Sequence, residues 1–333
     1  MSSLSGNGSG NGVLIVAEML EGALAPASAE LAGIGRAIAD QLGGLLTAVL
    51  LGSGVGEAGQ TLATLGVNRV LVADSPTLAS YVSDAYLDVL APIVTDVAPA
   101  ALLLLHSANM RELSARLAVR LDTALTTDCT GLRVEDGRLV MRKPVFGGSA
   151  IAEYVVNSTP QMATIRMRAF PAAEPGAAGE VAAVNVEAGG SARVTLVETK
   201  RAEVSGGPRL KDAKIVVSGG RGLGGPDNWH YISDLADSMG AAQGATRAVT
   251  DAGWVAPGMQ VGLTGVTIAP DLYVTVAVSG AVQHIAGCSG SRNIVAINKD
   301  PDANIFKHAR FGIVGDYKEV LPALTRRVKE LRA

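Results

Sequence analysis

Aromatic side chains are scarce in this chain: four Phe, two Trp and six Tyr, 4% of its residues. Proteins that grip single-stranded nucleic acid use such rings as stacking platforms, so no nucleic-acid partner of that kind is expected. Basic residues are not in excess either. The formal charge is −3 and no Lys/Arg stripe is visible, which leaves neither an electrostatic footprint for nucleic acid nor a pull toward anionic lipid. Cysteine occurs twice, at Cys129 and Cys288, outside any CxxC spacing. That gives no basis for a disulfide framework, a zinc site or an iron–sulfur cluster. No apolar run reaches the roughly 20 residues of a membrane span, so no integral membrane segment is expected. The opening MSSLSGNGSGNG lacks the apolar core of a signal peptide and the Arg-rich pattern of a transit peptide, and the expected location is the cytoplasm. GxSxG, HExxH and the P-loop GxxxxGK(S/T) do not occur, which removes support for the corresponding hydrolases, zinc proteases and ATPases.

What is present is apolar and glycine-rich. Hydrophobic residues make up 48% of the 333 positions and charged residues 18%, enough for two buried cores rather than one. Short apolar runs at Val13–Ala17, Leu45–Leu51, Arg69–Ala73 and Ala101–His106 alternate with helical spacing at Ser28–Leu42, Gly56–Leu65, Thr77–Val97 and Met110–Leu121. This alternation predicts a parallel sheet with helices on its faces. After Leu125 the pattern changes to strands joined by short turns: Cys129–Glu135, Arg138–Pro144, Ala150–Asn157, Met162–Arg168, Val181–Val186 and Ala192–Glu203. Asp136-Gly137 reads as a hairpin turn. The first domain is thus expected to be a mixed-sheet α/β domain. Val204–Pro208 reads as a linker.

A second α/β domain follows, with strands expected at Lys214–Ser218, Ala245–Val249, Val261–Leu263, Leu272–Ser279 and Ile294–Asn298. Helices are expected at Trp229–Met239 and Leu321–Leu331. The predicted organisation is a polar tail over 1–12, a first domain over 13–204, a linker over 205–212 and a second domain over 213–333. No tandem repeat of 20–50 residues is present.

The chemistry concentrates in glycine-rich turns that follow short strands of the second domain. Such turns present backbone N–H groups and small side chains to phosphates and cofactors. Ser218-Gly219-Gly220-Arg221-Gly222 is the first: either a phosphate-facing turn with Arg221 as its charge, or a tight turn with a surface arginine. It is not read as the GxGxxG of a dinucleotide fingerprint. Thr246 and Arg247 follow Gly244-Ala245, and an arginine in an apolar strand or turn calls for an anionic partner or for solvent. Gly262-Leu263-Thr264-Gly265 holds one hydroxyl between glycines, as a turn threonine or as a donor to a ring nitrogen. Ser279-Gly280-Ala281-Val282-Gln283-His284 ends a strand and opens a helix, where free N–H groups attract phosphate. His284 there is either structural or a ligand. Asn298, with Lys299-Asp300, and Asp316 end later strands, where ribose or adenine edges are bound in such folds. No nucleophile, paired carboxylate or general base accompanies these turns. A cofactor site without them points to electron transfer, in which the protein positions and tunes the cofactor.

The wording of these blocks resembles the α subunits of electron transfer flavoproteins: VVSGGRGL, GATRAVTDAGW, QVGLTG, PDLY, SGAVQHIAG and IVAINKDPDANIF. The likeness covers about a third of the chain closely and the rest in length and order. It implies a Rossmann-like N-terminal mixed-sheet domain followed by a C-terminal parallel-sheet FAD-binding domain. By resemblance, Arg221 and Thr246 lie by the pyrophosphate. Arg247 sits against the isoalloxazine and favours the anionic semiquinone. Thr264, between Gly262, Leu263 and Gly265, donates to flavin N5, and His284 donates to the pyrimidine carbonyl. Ser279, Gly280, Ala281, Val282 and Gln283 hold phosphate and ribityl, and Asn298 and Asp316 hold the adenosine end. The family usually has glutamine where Leu263 stands and often serine where Thr246 stands.

The resemblance also implies a heterodimer with a β subunit that binds AMP, or a second FAD in electron-bifurcating members of the FixB-like branch. The implied partners are acyl-CoA dehydrogenase-type flavoenzymes and a quinone reductase or ferredoxin. Two other functions stand beside this one. A nicotinamide-dependent oxidoreductase needs a GxGxxG with a ribose-binding acid at the end of the second strand, and neither is read here. A non-redox adenine-nucleotide-binding regulator would be colourless.

Overall fold

The fold is seen in a computed structural model, which describes residues 10–148, 150–186, 193–194, 196–199 and 208–332. The first nine residues of the expected tail, half of the expected strand 192–203 and the expected linker up to Gly207 lie outside the described residues. The chain forms two compact units, Met1–Val145 with Ile151–Lys200, and Phe146–Ala150 with Arg201–Ala333.

The N-terminal unit is built on β1 (Val13–Ala17), β2 (Leu46–Gly52), β3 (Arg69–Asp74), β4 (Ala101–Leu105), β5 (Leu125–Cys129), β9 (Gln161–Ile165) and β10 (Glu180–Ala183). They form one seven-stranded sheet in the order β10-β3-β2-β1-β4-β9-β5, with parallel pairing throughout the registers. All five residues of β1 are buried, because both faces of a parallel sheet are covered by helices. Side chains alternate between those faces. Val13, Ile15 and Ala17 pack with Leu31, Ile34 and Ile38 of α1 (Pro26–Leu42) and Leu62 of α2 (Gly56–Ala63). Leu14 and Val16 pack with Leu90 and Val94 of α3 (Ser83–Val97) and Leu113 and Leu117 of α4 (Ala108–Arg120). Pro26 starts α1, where its fixed φ suits the first helical turn, and Gly43, at φ 65°, stops it.

The change of pattern after Leu125 divides differently from the sequence expectation. The expected strand Cys129–Glu135 is two strands that part at Thr130. β5 enters the large sheet, while β6 (Gly131–Glu135), β7 (Arg138–Val145) and β8 (Ala150–Val155) make a separate three-stranded sheet. β6 and β7 run antiparallel, and the turn between them has Asp136 and Gly137 both at positive φ, as a two-residue hairpin requires. The expected helix Thr77–Val97 begins only at Ser83, after a 3-10 turn at Pro76–Leu78 capped by the Ser75 hydroxyl.

The C-terminal unit holds a five-stranded parallel sheet of β11 (Ile215–Gly219), β12 (Ala242–Ala245), β13 (Leu272–Val276), β14 (Ile294–Asn298) and β15 (Phe311–Val314), in the order β12-β11-β13-β14-β15. One face packs on α5 (His230–Met239) and α8 (Tyr317–Arg332) through Val217, Val274, Ile232, Leu235 and Leu321. The other packs on α7 (Val282–Cys288) through Val216, Tyr273 and Ile285. The expected strand Ala245–Val249 ends at Ala245. Arg247 opens a short helix, α6 (Arg247–Asp251), with Thr246, still extended at φ −76° and ψ 156°, as its N-cap residue. Val261–Leu263 is a loop with isolated bridges instead of a strand. The chain leaves β11 for β12 on one side and returns to β13 on the other. That reversal opens a crevice at the carboxyl ends of β11 and β13.

Leu103 is completely buried in the large sheet, whereas Val119 on α4 is 82% exposed. Leu103→Ala is expected to cost about 2–5 kcal/mol in denaturant unfolding of the N-terminal unit, and Val119→Ala less than about 0.5 kcal/mol. Equal effects would contradict the assignment of this layer as core.

Candidate cofactor site

Every strand of the C-terminal sheet delivers residues from its carboxyl end. Arg221 follows β11, Thr246 and Arg247 follow β12, Ser279–His284 follow β13, Asn298 ends β14 and Asp316 follows β15. The loop over 260–266 completes the set from within the β12–β13 crossover.

Two adjoining clefts result. The larger, about 470 Å3, is lined by Arg221, Thr246, Arg247, Gly262, Leu263, Thr264, Ser279, Ala281, Gln283 and His284 among the residues expected from the sequence. The smaller, about 270 Å3, is lined by Asn298, Lys299, Asp316 and Lys318. Gly222 and Ala277 border both. Gly265, Gly280 and Val282 are not on either lining, although their neighbours are. Gly280 has a structural reason to be glycine: its φ is 83°, and a Cβ there would sit 2.2 Å from the Ile305 nitrogen.

Close backbone approach shapes the larger cleft. A Cβ on Gly287 of α7 would lie 2.4 Å from Gly262 Cα, so only glycine lets the 260–266 loop rest on α7. The contact is fixed by the Leu263 N–H, which donates to the Gln283 carbonyl at 2.7 Å. Thr264 is held from within the same loop, where Gln260 Nε2 donates to its hydroxyl at 2.9 Å. An oxygen that accepts from Gln260 keeps its own hydrogen for a ligand in the cleft.

Arg247 stands at the first residue of α6 and Asp251 at the last, with Arg247 Nε 3.2 Å from Asp251 Oδ2. Both line the cleft. This order opposes the helix dipole, which favours acids at the start and bases at the end. The pair is solvent-exposed and adds little to stability, so the guanidinium is available to an anion.

Thr246 is the clearest sign of an absent partner. Its Oγ1 is buried and has no hydrogen-bond partner, a state that costs free energy unless something else satisfies it. It faces the same cleft as Arg221 and Arg247.

His284 is buried and turned inward. Nδ1 is 3.1 Å from the Val261 carbonyl and Nε2 is 2.8 Å from the Tyr273 hydroxyl. Burial pushes its pKa down to about 4, with the Val261 hydrogen bond opposing that shift. As placed, both ring nitrogens are engaged by the protein, and the imidazole has no spare N–H for a carbonyl in the cleft.

In the smaller cleft Asn298 is partly engaged: its Nδ2 donates to the Val278 carbonyl at 2.9 Å, and its Oδ1 accepts from Asp300 N at 3.1 Å. Asp316 accepts from Lys318 N at 2.9 Å and immediately precedes α8. Asp251, Gln260, Ala277 and Tyr273 were not singled out from the sequence. The i,i+4 spacing of Asp251 to Arg247 was a usable signal. Nothing in the chain's spacing ties Tyr273 to His284.

The GxGxxG spacing, not expected from the sequence, does occur. Gly220, Gly222 and Gly225 have it after β11, but 3-10 turns follow in place of a helix start. Gly54, Gly56 and Gly59 have it across the junction of β2 and α2, with Asp74 at the end of β3. There the Asp74 carboxylate itself accepts from Gly54 N at 2.8 Å and Val55 N at 3.1 Å. The chain's own acid takes the N–H groups that a pyrophosphate would use.

Comparison with known proteins gives the family. The electron transfer flavoprotein domain family matches residues 13–189, and the electron transfer flavoprotein FAD-binding domain family matches residues 209–289. The electron transfer flavoprotein subunit alpha of Thermoanaerobacterium thermosaccharolyticum is 39% identical, over 96% of this chain and 98% of its own length. Protein FixB of Clostridium saccharobutylicum is 40% identical over 96% and 97%, and the subunit alpha of Bacillus subtilis is 36% identical over 97% and 98%.

FAD fits the residues present. The orphaned Thr246 hydroxyl and the Arg221 and Arg247 guanidinium groups suit an anionic cofactor, and two linked clefts suit a dinucleotide. Thr246→Val removes an unpartnered hydroxyl. Stability without cofactor is therefore expected to stay level or rise by up to about 1 kcal/mol, while FAD affinity falls about fivefold or more. Thermal unfolding of flavin-free protein and a flavin titration measure the two. A loss of flavin-free stability with intact affinity would contradict the assignment.

Proposed function

This chain belongs to the electron transfer flavoprotein family as an α subunit, and from that premise we propose that it carries electrons through one FAD between partner flavoenzymes. The observation that carries the reading is the pair of linked clefts with the buried, unpartnered Thr246 hydroxyl on one wall. FAD, when bound, supplies the one- and two-electron chemistry that no side chain of the site provides.

The chain's residues then have the work of binding and tuning. Arg221 and the Thr246 hydroxyl meet the pyrophosphate, close to the Gly222–Ala277 border of the two clefts. Arg247 faces the ring system, where a guanidinium favours negative charge gained on reduction. Thr264, oriented by Gln260, donates its remaining hydrogen to the ring edge. Gly262, Leu263 and Gly265 shape that loop, and Leu263 offers the ring an apolar surface. Ser279, Gly280, Ala281, Val282 and Gln283 form the turn that holds the phosphate–ribityl stretch, with His284 behind it. Asn298 and Asp316 bind the adenosine end.

Members of this family pair with a β subunit, and the proposed complex is that heterodimer, with AMP or a second FAD in the β subunit. The proposed partners are acyl-CoA dehydrogenase-type donors and a quinone reductase or ferredoxin-linked acceptor. The proposed location is the cytoplasm. Among the described residues, no helix is long and apolar enough to cross a membrane.

Anaerobic titration of the co-purified heterodimer is expected to find one FAD in this chain. Arg247→Ala should lower its first one-electron potential by about 59 mV or more, a tenfold loss of preference for the anionic form. Two FAD per heterodimer, one reducible by NADH, would mark an electron-bifurcating member. A colourless complex would refute the reading in favour of a nucleotide-binding regulator.

A further inference from the structure

The buried Tyr273–His284 pair has a proton inventory that follows from its partners. The Val261 carbonyl can only accept, so the hydrogen on His284 lies at Nδ1, 3.1 Å away. A neutral imidazole with Nδ1–H has a bare Nε2, and the Tyr273 hydroxyl at 2.8 Å donates to it. The alternative, an imidazolium, would have to hold a charge with 6% of the residue exposed, and that is costly without an acid beside it. Among the described residues no acid meets the ring: the Tyr273 hydroxyl comes from β13 and the Val261 carbonyl from the 260–266 loop, while Cys288 of α7, whose thiol burial pushes up to about 12, acts on Tyr273. The charged groups on the same cleft are Arg221, Arg247 and Asp251, the last already paired with Arg247.

Tyr273 is suited to a permanent donor role. It is completely buried in the sheet, and burial raises its pKa well above the ordinary phenol value of 10, so the hydroxyl keeps its hydrogen. The two rings lie nearly parallel, 28° apart with centroids at 6.0 Å. The imidazole is thus gripped at both nitrogens by groups from two different parts of the fold, which leaves it one tautomer and one orientation.

We propose that Tyr273 is a positioning residue of the cofactor cleft, one that clamps His284 as a neutral imidazole with its proton on Nδ1. Its functional consequence rests on the FAD reading above. An uncharged, non-titrating ring at that end of the cleft leaves the guanidinium groups as the source of positive charge. The first one-electron potential is then independent of pH around neutrality. Removal of the Tyr273 hydroxyl takes away a hydrogen bond made only to the neutral form, so the imidazole gains basicity. The order is set by sign: a donor to Nε2 opposes protonation there, and its loss favours it.

The test uses the full chain co-purified with its β subunit, labelled with 15N at histidine, with His284→Gln identifying the His284 signals. In the wild type, His284 is expected to show a protonated Nδ1 and a bare Nε2, with no titration between about pH 5.5 and 8. In Tyr273→Phe the titration midpoint is expected to rise by about one unit or more. The first one-electron potential should then acquire pH dependence, toward a tenfold change per pH unit, about 59 mV. A wild-type proton on Nε2, or an unchanged midpoint in folded Tyr273→Phe, overturns the proposal. Should Tyr273→Phe fail to fold, the wild-type tautomer decides alone. Absence of FAD from the wild-type heterodimer would refute the cofactor reading, while the tautomer would still decide whether the clamp exists.

Discussion

The geometry of the C-terminal unit depends on how closely two turns of backbone meet at Ala277. Gly220 N donates to the Val276 carbonyl at 2.9 Å and Gly222 N to the Ala277 carbonyl at 3.3 Å. A Cβ on Gly220 would lie 2.2 Å from the Ala277 oxygen, and one on Gly222 would lie 3.0 Å from it. Ala277 itself sits at φ 54°, a conformation that costs an L-residue about 1–3 kcal/mol. The β11 turn and the β13 turn are thereby pressed together at the point where the strand order reverses. A small backbone knot, without bulky side chains, borders both clefts. Bulk at Gly220 or Gly222 would push the two turns apart.

Around that knot the charges suit binding and tuning of a cofactor. Arg247 is held against the helix dipole and paired only at the surface, while the histidine is buried and stripped of charge. The contrast gives the cleft a positive side and a neutral side that Tyr273 maintains. Both cysteines are buried with thiols pushed up to about 12, so neither competes as a redox group. The work of the fold is to hold a cofactor and set its affinity for an electron.

Much of this was legible in the chain because parallel α/β folds write their rules locally. Val13–Ala17 and Ile294–Asn298 are strands with the expected limits, since an all-apolar run between turns has few alternatives. The turns that carry the cleft could be found because each follows such a run. What failed to show was set by longer-range effects. Arg247 starts a helix because the Thr246 carbonyl accepts from Val249 N and Thr250 N, although the residues around it have strand-like composition. Cys129–Glu135 divides because its halves join different sheets. Asp74 occupies the glycine turn at Gly54–Gly59 from twenty residues downstream, and Tyr273 reaches His284 across the sheet–helix interface. Pairings of that kind have no period or spacing in the sequence.

The most direct measurement is a crystal structure of the flavin-loaded heterodimer. The account predicts the isoalloxazine in the cleft lined by Arg247, Thr264 and His284, and the adenosine in the cleft lined by Asn298 and Asp316. The pyrophosphate should cross at Gly222 within hydrogen-bonding distance of the Thr246 hydroxyl. An adenosine bound elsewhere, with Thr246 still unpartnered, would contradict it.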